Sequence, residues 1–267
     1  AAGFENVITC DMGGTSFDVS VVAGGDHAIS PQTSIDFGLV IRTPMVEITT
    51  IGAGGGSIAA VDRGGLLRVG PESAGSDPGP ACYGLGNSRP TVTDANVVLG
   101  RINAERPIGG KLERLDSAAA EAAIMRHVGE PLGLDLTNAA AAIIRVANGL
   151  MAGAIRLVSI ERGHDPRKFV IMPFGGGGAL HAGALMREVG LAKALVPRYP
   201  GVISALGCAI ADLRHDSVAT VNRTLDEIDM ADFRARMADL AGETGALVGQ
   251  SAAQSFEADM SYQGQSH

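Results

Sequence analysis

The sequence predicts an α/β fold: a mixed β-sheet flanked by helices, with an inserted helical and loop region over residues 70–135. Three observations predict it. Residues up to 69 form short apolar runs broken by Gly turns, a β pattern. From Thr93 onward, helical patterns alternate with single short apolar runs. The 267 residues are 46% apolar but only 4% aromatic, without Trp, so a sizeable core must be built from Ala, Val, Ile, Leu and Met.

In chain order, Val7–Cys10 reads as a buried strand, Asp11–Thr15 as a tight turn and Phe17–Val22 as the returning strand of a hairpin. Strand-like pieces continue through Ala28–Ile29 and Leu39–Ile51, then Ile58–Val61 and Leu66–Val69 around an Arg63-Gly64-Gly65 turn. Residues 70–90 read as an ordered Gly/Pro/Ser loop carrying Cys82 and Tyr83. Thr93 or Asp94 is expected to cap a helix over Ala95–Leu99, and Asp116 or Ser117 a second over Ala118–Val128 that ends at Gly129. A third helix from Thr137 or Asn138 places Ile143, Val146, Leu150, Gly153 and Leu157 on one face. Its Gly149 and Gly153 cost about 1 kcal/mol each and suggest the close approach of another backbone. A strand at Phe169–Pro173, a helix over Ala179–Val189, a strand at Ala194–Val196 and a helix from Pro200 to about Leu213 follow. Ser217–Leu225 reads as a strand, a helix runs from Asp229 or Asp232 to near Gly249, and Phe256–His267 alternates weakly like a strand. Both ends have the look of cut ends.

Charge and composition exclude several classes. There are 21 Lys+Arg against 29 Asp+Glu, a formal net charge of −8, and no basic run, so no nucleic-acid partner is expected. Arg145, Asn148 and Arg156 interrupt the longest apolar helix, so no membrane span is expected. Cys10, Cys82 and Cys208 are odd in number and far apart, which indicates neither disulfides nor zinc, and the expected setting is cytoplasmic.

Two Gly-rich segments carry the chemistry. In Asp11-Met12-Gly13-Gly14-Thr15-Ser16-Phe17-Asp18, a hairpin turn with two adjacent Gly exposes backbone N–H groups in one concavity, a nest that suits phosphate oxygens. Thr15 and Ser16 add hydroxyls, and Asp11 could hold Mg²⁺ through water. An ordinary Gly-Gly hairpin is the alternative. In Phe174-Gly175-Gly176-Gly177-Gly178-Ala179-Leu180-His181-Ala182, four Gly let a flat ring lie against bare backbone, and the following helix start favours an anion. A third run, Gly52-Ala53-Gly54-Gly55-Gly56-Ser57, fails the dinucleotide fingerprint, because Ser57 stands where Gly or Ala is needed and no amphipathic helix follows. Gly110-Lys111 is followed by Leu112, so there is no P-loop. His181 either faces a ligand or caps and packs. Cys82 is either a nucleophile or a small hydrophobe. His164-Asp165 and His215-Asp216 lack a third metal ligand.

The order of these segments resembles the ribonuclease H-like superfamily of actin, Hsp70 and sugar kinases. The resemblance narrows with Gly70–Gly75, Asp77–Gly84, Thr91-Val92-Thr93-Asp94-Ala95-Asn96, Gly201-Val202-Ile203-Ser204-Ala205-Leu206-Gly207 and His215-Asp216. Together with Asp11–Ser16 and Ile51–Ser57, the set is similar to the hydantoinase A / 5-oxoprolinase family, which includes acetone and acetophenone carboxylase subunits. The family's GGAGPLHA stands here as GGGGALHA, and the second DxGGT motif of the family's N-terminal domain has no counterpart.

The resemblance implies a hydantoinase A core domain over residues 1–267, without its N-terminal partner domain and inactive alone. It implies ATP and Mg²⁺ as cofactors and ATP-driven hydrolysis of a cyclic amide such as a hydantoin or 5-oxoproline. Gly13, Gly14, Thr15 and Ser16 would cradle phosphate, Asp11 would serve as catalytic and Mg²⁺-positioning residue, and Gly175, Gly176, Gly177 and Gly178 would contact adenosine. Gly54, Gly55, Gly56 and Ser57 would line the substrate cleft. A second subunit of the hydantoinase B type is the implied partner, and a homo-oligomer is compatible. Two alternatives stay open: the ATP-using subunit of a ketone carboxylase, or a non-catalytic nucleotide-binding scaffold.

Overall fold

The computed structural model describes residues 2–30, 33–35, 39–41, 45–107, 112–249 and 252–265. Parts of the expected Leu39–Ile51 strand region, the Gly110-Lys111 pair and the last two residues of the expected 256–267 strand lie outside them. The chain divides into two compact units, Ala1–Ser30 with Met45–Gly207, and Pro31–Pro44 with Cys208–His267.

The first unit is built on a mixed sheet. β1 (Val7–Met12) and β2 (Phe17–Ala23) form the expected hairpin, with Asp11 opposite Asp18 and Met12 opposite Phe17. β3 (Asp26–His27) extends β2, while β4 (Ile29–Ser30) pairs with β7 (Met45–Val46). β8 (Thr49–Ile51) also pairs with β2, and β9 (Ser57–Val61) and β10 (Leu67–Ser73) form a separate ribbon. On the other side of β1 lie two parallel strands, β11 (Val170–Phe174) and then β12 (Lys193–Ala194). The order is therefore β12-β11-β1-β2-β3.

Strand alternation decides what is buried. Ile8, Cys10 and Met12 of β1 and Phe17, Val19 and Val21 of β2 enter the core, while the Thr9 and Ser20 hydroxyls meet at 2.6 Å on the other face. Against them packs α4 (Leu136–Ser159), started by Asp135, whose carboxylate accepts the Asn138 N–H at 2.8 Å. Its buried stripe is Ile143, Ala147, Met151 and Ile155, at i+4 spacing. Truncating Met151 or Ile155 to Ala should cost about 2–5 kcal/mol.

This corrects the expected face. Of the residues assigned to it only Ile143 is buried, and Leu150 and Leu157 are 45% and 44% exposed. The apolar pattern of α4 is wide enough to hold two stripes, and the sheet selects the i+4 one. Gly149 and Gly153 lie on the open side with nothing near the position of a Cβ, so no backbone among the described residues approaches them. By length and composition α4 with its C-terminal extension could cross a membrane, but twelve of its residues are buried within the protein.

Helices α1 and α2 flank α4. α1 (Val92–Val98) starts a turn earlier than expected, because Thr91 and Asp94 form a reciprocal capping box. α2 (Ser117–Ile124) is capped by Asp116. It does not stop at Gly129: a wider turn over Met125–Gly129 leads into α3 (Glu130–Leu132), which ends at Gly133 with φ 63°. Gly129 itself keeps helical angles, so the left-handed stop falls on the later glycine. α5 (Gly178–Val189) packs on β11 and ends at Gly190 with φ 82°.

α6 (Ile203–Ile210) is apolar yet contains no buried residue. In the second unit β5 (Thr33–Ile35) pairs with β6 (Leu39–Ile41), and α7 (Met230–Val248) is capped by Asp229. The expected strand Ser217–Leu225 is absent, and so is any strand over 256–265. Both stretches are almost wholly exposed and find no neighbouring ladder among the described residues, so alternation alone does not make them strands.

Candidate functional site

Because β1 and β11 run parallel, their carboxyl ends lie side by side, the edge at which open α/β sheets usually bind ligands. Asp11 near the end of β1 is in register with Phe174, and Gly175 follows immediately. A Cβ on Gly175 would lie 2.3 Å from Asp11 Oδ1 and 2.5 Å from the Met12 carbonyl, and its φ is +81°. Only glycine fits there. The Gly177 N–H donates to the Met12 carbonyl at 3.1 Å. The turn at 13–16 and the turn at 175–178 therefore adjoin.

The first turn is closed by one backbone bond, Gly13 N–H to the Ser16 carbonyl at 3.1 Å. The N–H groups of Gly14, Thr15 and Ser16 have no hydrogen-bond partner among the described residues. Gly13 and Gly14 are exposed, with nothing within 4 Å of a Cβ position, so their bare backbone is open to a ligand. Three adjacent amides of an exposed turn are thus left without a partner, the kind of turn in which a nest can form. The Ser16 hydroxyl is engaged otherwise: it donates to Asp18 Oδ2 at 2.8 Å, while Thr50 Oγ1 donates to the other oxygen of Asp18. Ser16 thus offers an anion its N–H, and its side chain braces the turn. The Thr15 hydroxyl lies 3.5 Å from Ser73 Oγ, too far for a strong bond.

Residues 54–57 hold that turn from behind. Gly55 and Gly56 donate their N–H groups to the Gly13 and Gly14 carbonyls at 2.9 and 2.6 Å, and Thr93 Oγ1 donates to the Gly55 carbonyl at 2.9 Å. A Cβ on Gly54 would lie 2.6 Å from Gly14 C and Thr15 N. Ser57 is fully buried, accepts the Gly54 N–H at 2.9 Å and donates to the Gly52 carbonyl at 3.3 Å. The glycines of this run are accordingly contact glycines, and β9 follows them instead of a helix.

α5 begins at Gly178 without a side-chain cap. The Leu180 N–H donates to the Gly177 carbonyl at 3.1 Å, and the remaining amides of Gly178 and Ala179 add positive potential beside the first turn. His181, in the first turn of α5, is 1% exposed, and its Nδ1 lies 2.6 Å from Asn148 Oδ1 on α4. Since an amide oxygen only accepts, Nδ1 carries the proton. Burial, with a smaller contribution from Arg101, holds the imidazole pKa down to about 4. His181 therefore ties α5 to α4 as a neutral ring, and its Nε2 is buried without a hydrogen-bond partner among the described residues.

Cys82 is buried with Val97, Leu115 and Ala120. Burial, and then the neighbouring Asp94 carboxylate, push its thiol above the ordinary range, which leaves it a packing residue. Burial alone does the same to Cys10. His164 stacks edge-on against Phe169, and no cluster of three metal-ligating side chains occurs among the described residues. A cavity of about 310 Å³, lined by Phe4, Asn6, Phe169 and Lys193 among others, lies at the amino ends of β1 and β11, away from these turns.

Ser204, Pro200 and Asp94 stand in segments the sequence marked, but their contacts here were not assigned from it. Ser204, near the start of α6, donates its hydroxyl to Asp11 Oδ2 at 2.9 Å, and the Pro200 carbonyl accepts the Gly175 N–H at 2.8 Å. The motif Gly201–Gly207 was visible, but a contact across 193 positions is not. Asp94 is fully buried and accepts from the backbone of Ala81, Cys82 and Thr91 and from the Thr91 hydroxyl, fixing the loop 81–91 onto α1. The Thr-x-x-Asp capping signature would have revealed it.

An α/β protein with a turn of unpartnered amides and a carboxylate at the carboxyl edge of its sheet is the class that fold and site define. Residues 1–217 match the hydantoinase/oxoprolinase family, and the chain belongs to it. It is 44% identical over 225 residues to the caprolactamase subunit alpha of Pseudomonas jessenii, covering 84% of this chain and 32% of that protein. It is 42% identical over 214 residues to the acetophenone carboxylase gamma subunit of Aromatoleum aromaticum, covering 80% and 29%. The crystal structure of the ATP-dependent caprolactamase from Pseudomonas jessenii superposes with a TM-score of 0.76 at 40% identity, over 92% of this chain and 36% of that one. The chain thus spans about a third of the length of these relatives.

Proposed function

We propose that this chain forms the phosphate-binding part of an ATP-dependent enzyme that opens cyclic amides, acting within a longer polypeptide and beside a second subunit of the hydantoinase B type. The observation that carries the reading is the row of unpartnered amides on Gly14, Thr15 and Ser16 in the turn that follows Asp11. The strand–turn–strand with a later Gly run is also what the actin/Hsp70/sugar-kinase arrangement would require.

The residues fit the implied groups. A phosphate needs several N–H donors and an approach free of side chains, and residues 13–16 supply both. Mg²⁺ takes one or two carboxylates and keeps the rest of its shell as water and phosphate oxygen, so Asp11 suffices and a cage of protein ligands is not needed. When bound, ATP would supply a phosphoryl group to the amide carbonyl oxygen, which turns an unreactive amide carbon into one that water attacks with cleavage of the ring C–N bond. The chain's own part is to orient and neutralise. The turn amides hold the phosphate oxygens, Asp11 positions the cation, and the exposed backbone of Gly176 beside the uncapped start of α5 is what this turn offers the nucleoside, since Gly175, Gly177 and Gly178 pack against Asp11, Met12, Cys10 and Pro173.

The relatedness to an acetophenone carboxylase subunit favours one second reading, in which the same phosphoryl transfer activates a ketone enol. The test is to express the full-length polypeptide with its partner subunit and measure ADP release. Stimulation is expected with caprolactam, 5-oxoproline or a hydantoin. Stimulation only by a ketone with bicarbonate would select the carboxylase reading, and stimulation by none would remove both.

A further inference from the structure

Asp11 lies between Gly175 and a segment far away in sequence. One carboxylate oxygen, Oδ2, accepts the Ser204 hydroxyl at 2.9 Å. The other, Oδ1, lies where a side chain on Gly175 would have to be. The same segment is tied to the Gly175 turn through the Pro200 carbonyl, which accepts the Gly175 N–H at 2.8 Å. Residues 200–204 therefore link the two turns by one backbone bond and one side-chain bond. Ser204 is exposed, so its bond to Asp11 is spent on the open side of the carboxylate and not on core packing.

We propose that Ser204 is a positioning residue for Asp11, fixing the carboxylate rotamer so that its free lone pairs face the divalent cation of the bound nucleotide. The proposal rests on the reading of Asp11 given above. A hydroxyl offers one donor and two acceptor lone pairs. The donor is used on Asp11, so the lone pairs remain to accept a hydrogen from water in the cation's shell. Ser204 would thus shape that shell twice, through the carboxylate and through a water, without itself binding the metal. Neighbouring groups of this kind that orient a ligand commonly change metal affinity ten- to a hundredfold.

The experiment uses the full-length polypeptide with its partner subunit, and Mn²⁺ as the probe ion in the presence of ADP. Free Mn²⁺ is counted by electron paramagnetic resonance for the wild type, Ser204→Ala, Ser204→Thr and Asp11→Asn, with thermal melting of each as the folding control. The expected result is a Kd for Mn²⁺ raised about tenfold in Ser204→Ala, restored to within about threefold by Ser204→Thr, with ADP affinity in chelator and the melting temperature unchanged. The Mg²⁺ concentration for half-maximal ADP release should rise in parallel. If Asp11→Asn weakens Mn²⁺ binding and Ser204→Ala does not, the proposal is overturned while the reading of Asp11 stands. If neither change affects Mn²⁺, both fall. A Ser204→Thr protein no better than Ser204→Ala also overturns it, since restoring the hydroxyl would then restore nothing.

Discussion

Gly54→Ala should damage the phosphate turn without touching any ligand. The new methyl would meet Gly14 C, Thr15 C and Thr15 N at 2.6 Å, where ordinary contact begins at 3.4 Å. All three are backbone atoms, so no side chain can swing away, and the turn or the 54–57 strand entry must move by about 0.8 Å. Two further bonds oppose that movement, from the Gly55 and Gly56 N–H groups to the Gly13 and Gly14 carbonyls. Overpacking of this kind costs about 1–3 kcal/mol. A displacement near 1 Å in reacting geometry costs on the order of a hundredfold in rate, so kcat for ADP release should fall by some tens of fold. The assay pairs steady-state kinetics with a urea melt of the full-length polypeptide, using Gly149→Ala as the control. That site is open and helical, so alanine there should stabilise by up to about 1 kcal/mol. Wild-type kcat and stability in Gly54→Ala would refute the claim that this run braces the turn.

Further outcomes follow from the same geometry. The Cβ of Gly14→Val would meet nothing within 4 Å, so the change should leave the melting temperature nearly unchanged while abolishing nucleotide binding by equilibrium dialysis. Asp94→Ala strips a buried acceptor from three backbone donors and a hydroxyl, and a loss of about 3–5 kcal/mol is expected in urea unfolding. His181 titrates near 4 when folded and near its ordinary 6.5 when unfolded, so the unfolded chain binds the extra proton between those values. Its contribution is therefore complete above pH 6.5 and is lost as pH falls towards 4, by about 3 kcal/mol, and His181→Gln should flatten that part of the stability–pH curve.

Much of the first unit could be read in the sequence because its signals are local. The hairpin follows from alternation on either side of Gly13-Gly14, and α5 from a Gly run before and Gly190 after it. The buried stripe of α4 was not legible, since an Ala-rich helix with apolar residues on two sides needs the sheet to decide which side is inward. The strand expected at Ser217–Leu225 failed for the complementary reason, since alternation without a neighbouring strand has no ladder to join. At the site, glycine runs showed where backbone is bare but not what it serves: Gly13 and Gly14 face open space, whereas Gly54 and Gly175 make room for neighbouring main chain and for Asp11. Ser204 was out of reach because its partner lies 193 residues away.

The account depends on the amides at 14–16 receiving a phosphate. A crystal structure of the full-length polypeptide with a non-hydrolysable ATP analogue and Mg²⁺ tests this most directly. The account predicts phosphate oxygens within hydrogen-bond distance of the Gly14 and Thr15 N–H groups and the cation's water shell against Asp11. A nucleotide bound with its phosphates elsewhere, such as beside Phe4 and Lys193 at the amino ends of the strands, would contradict it.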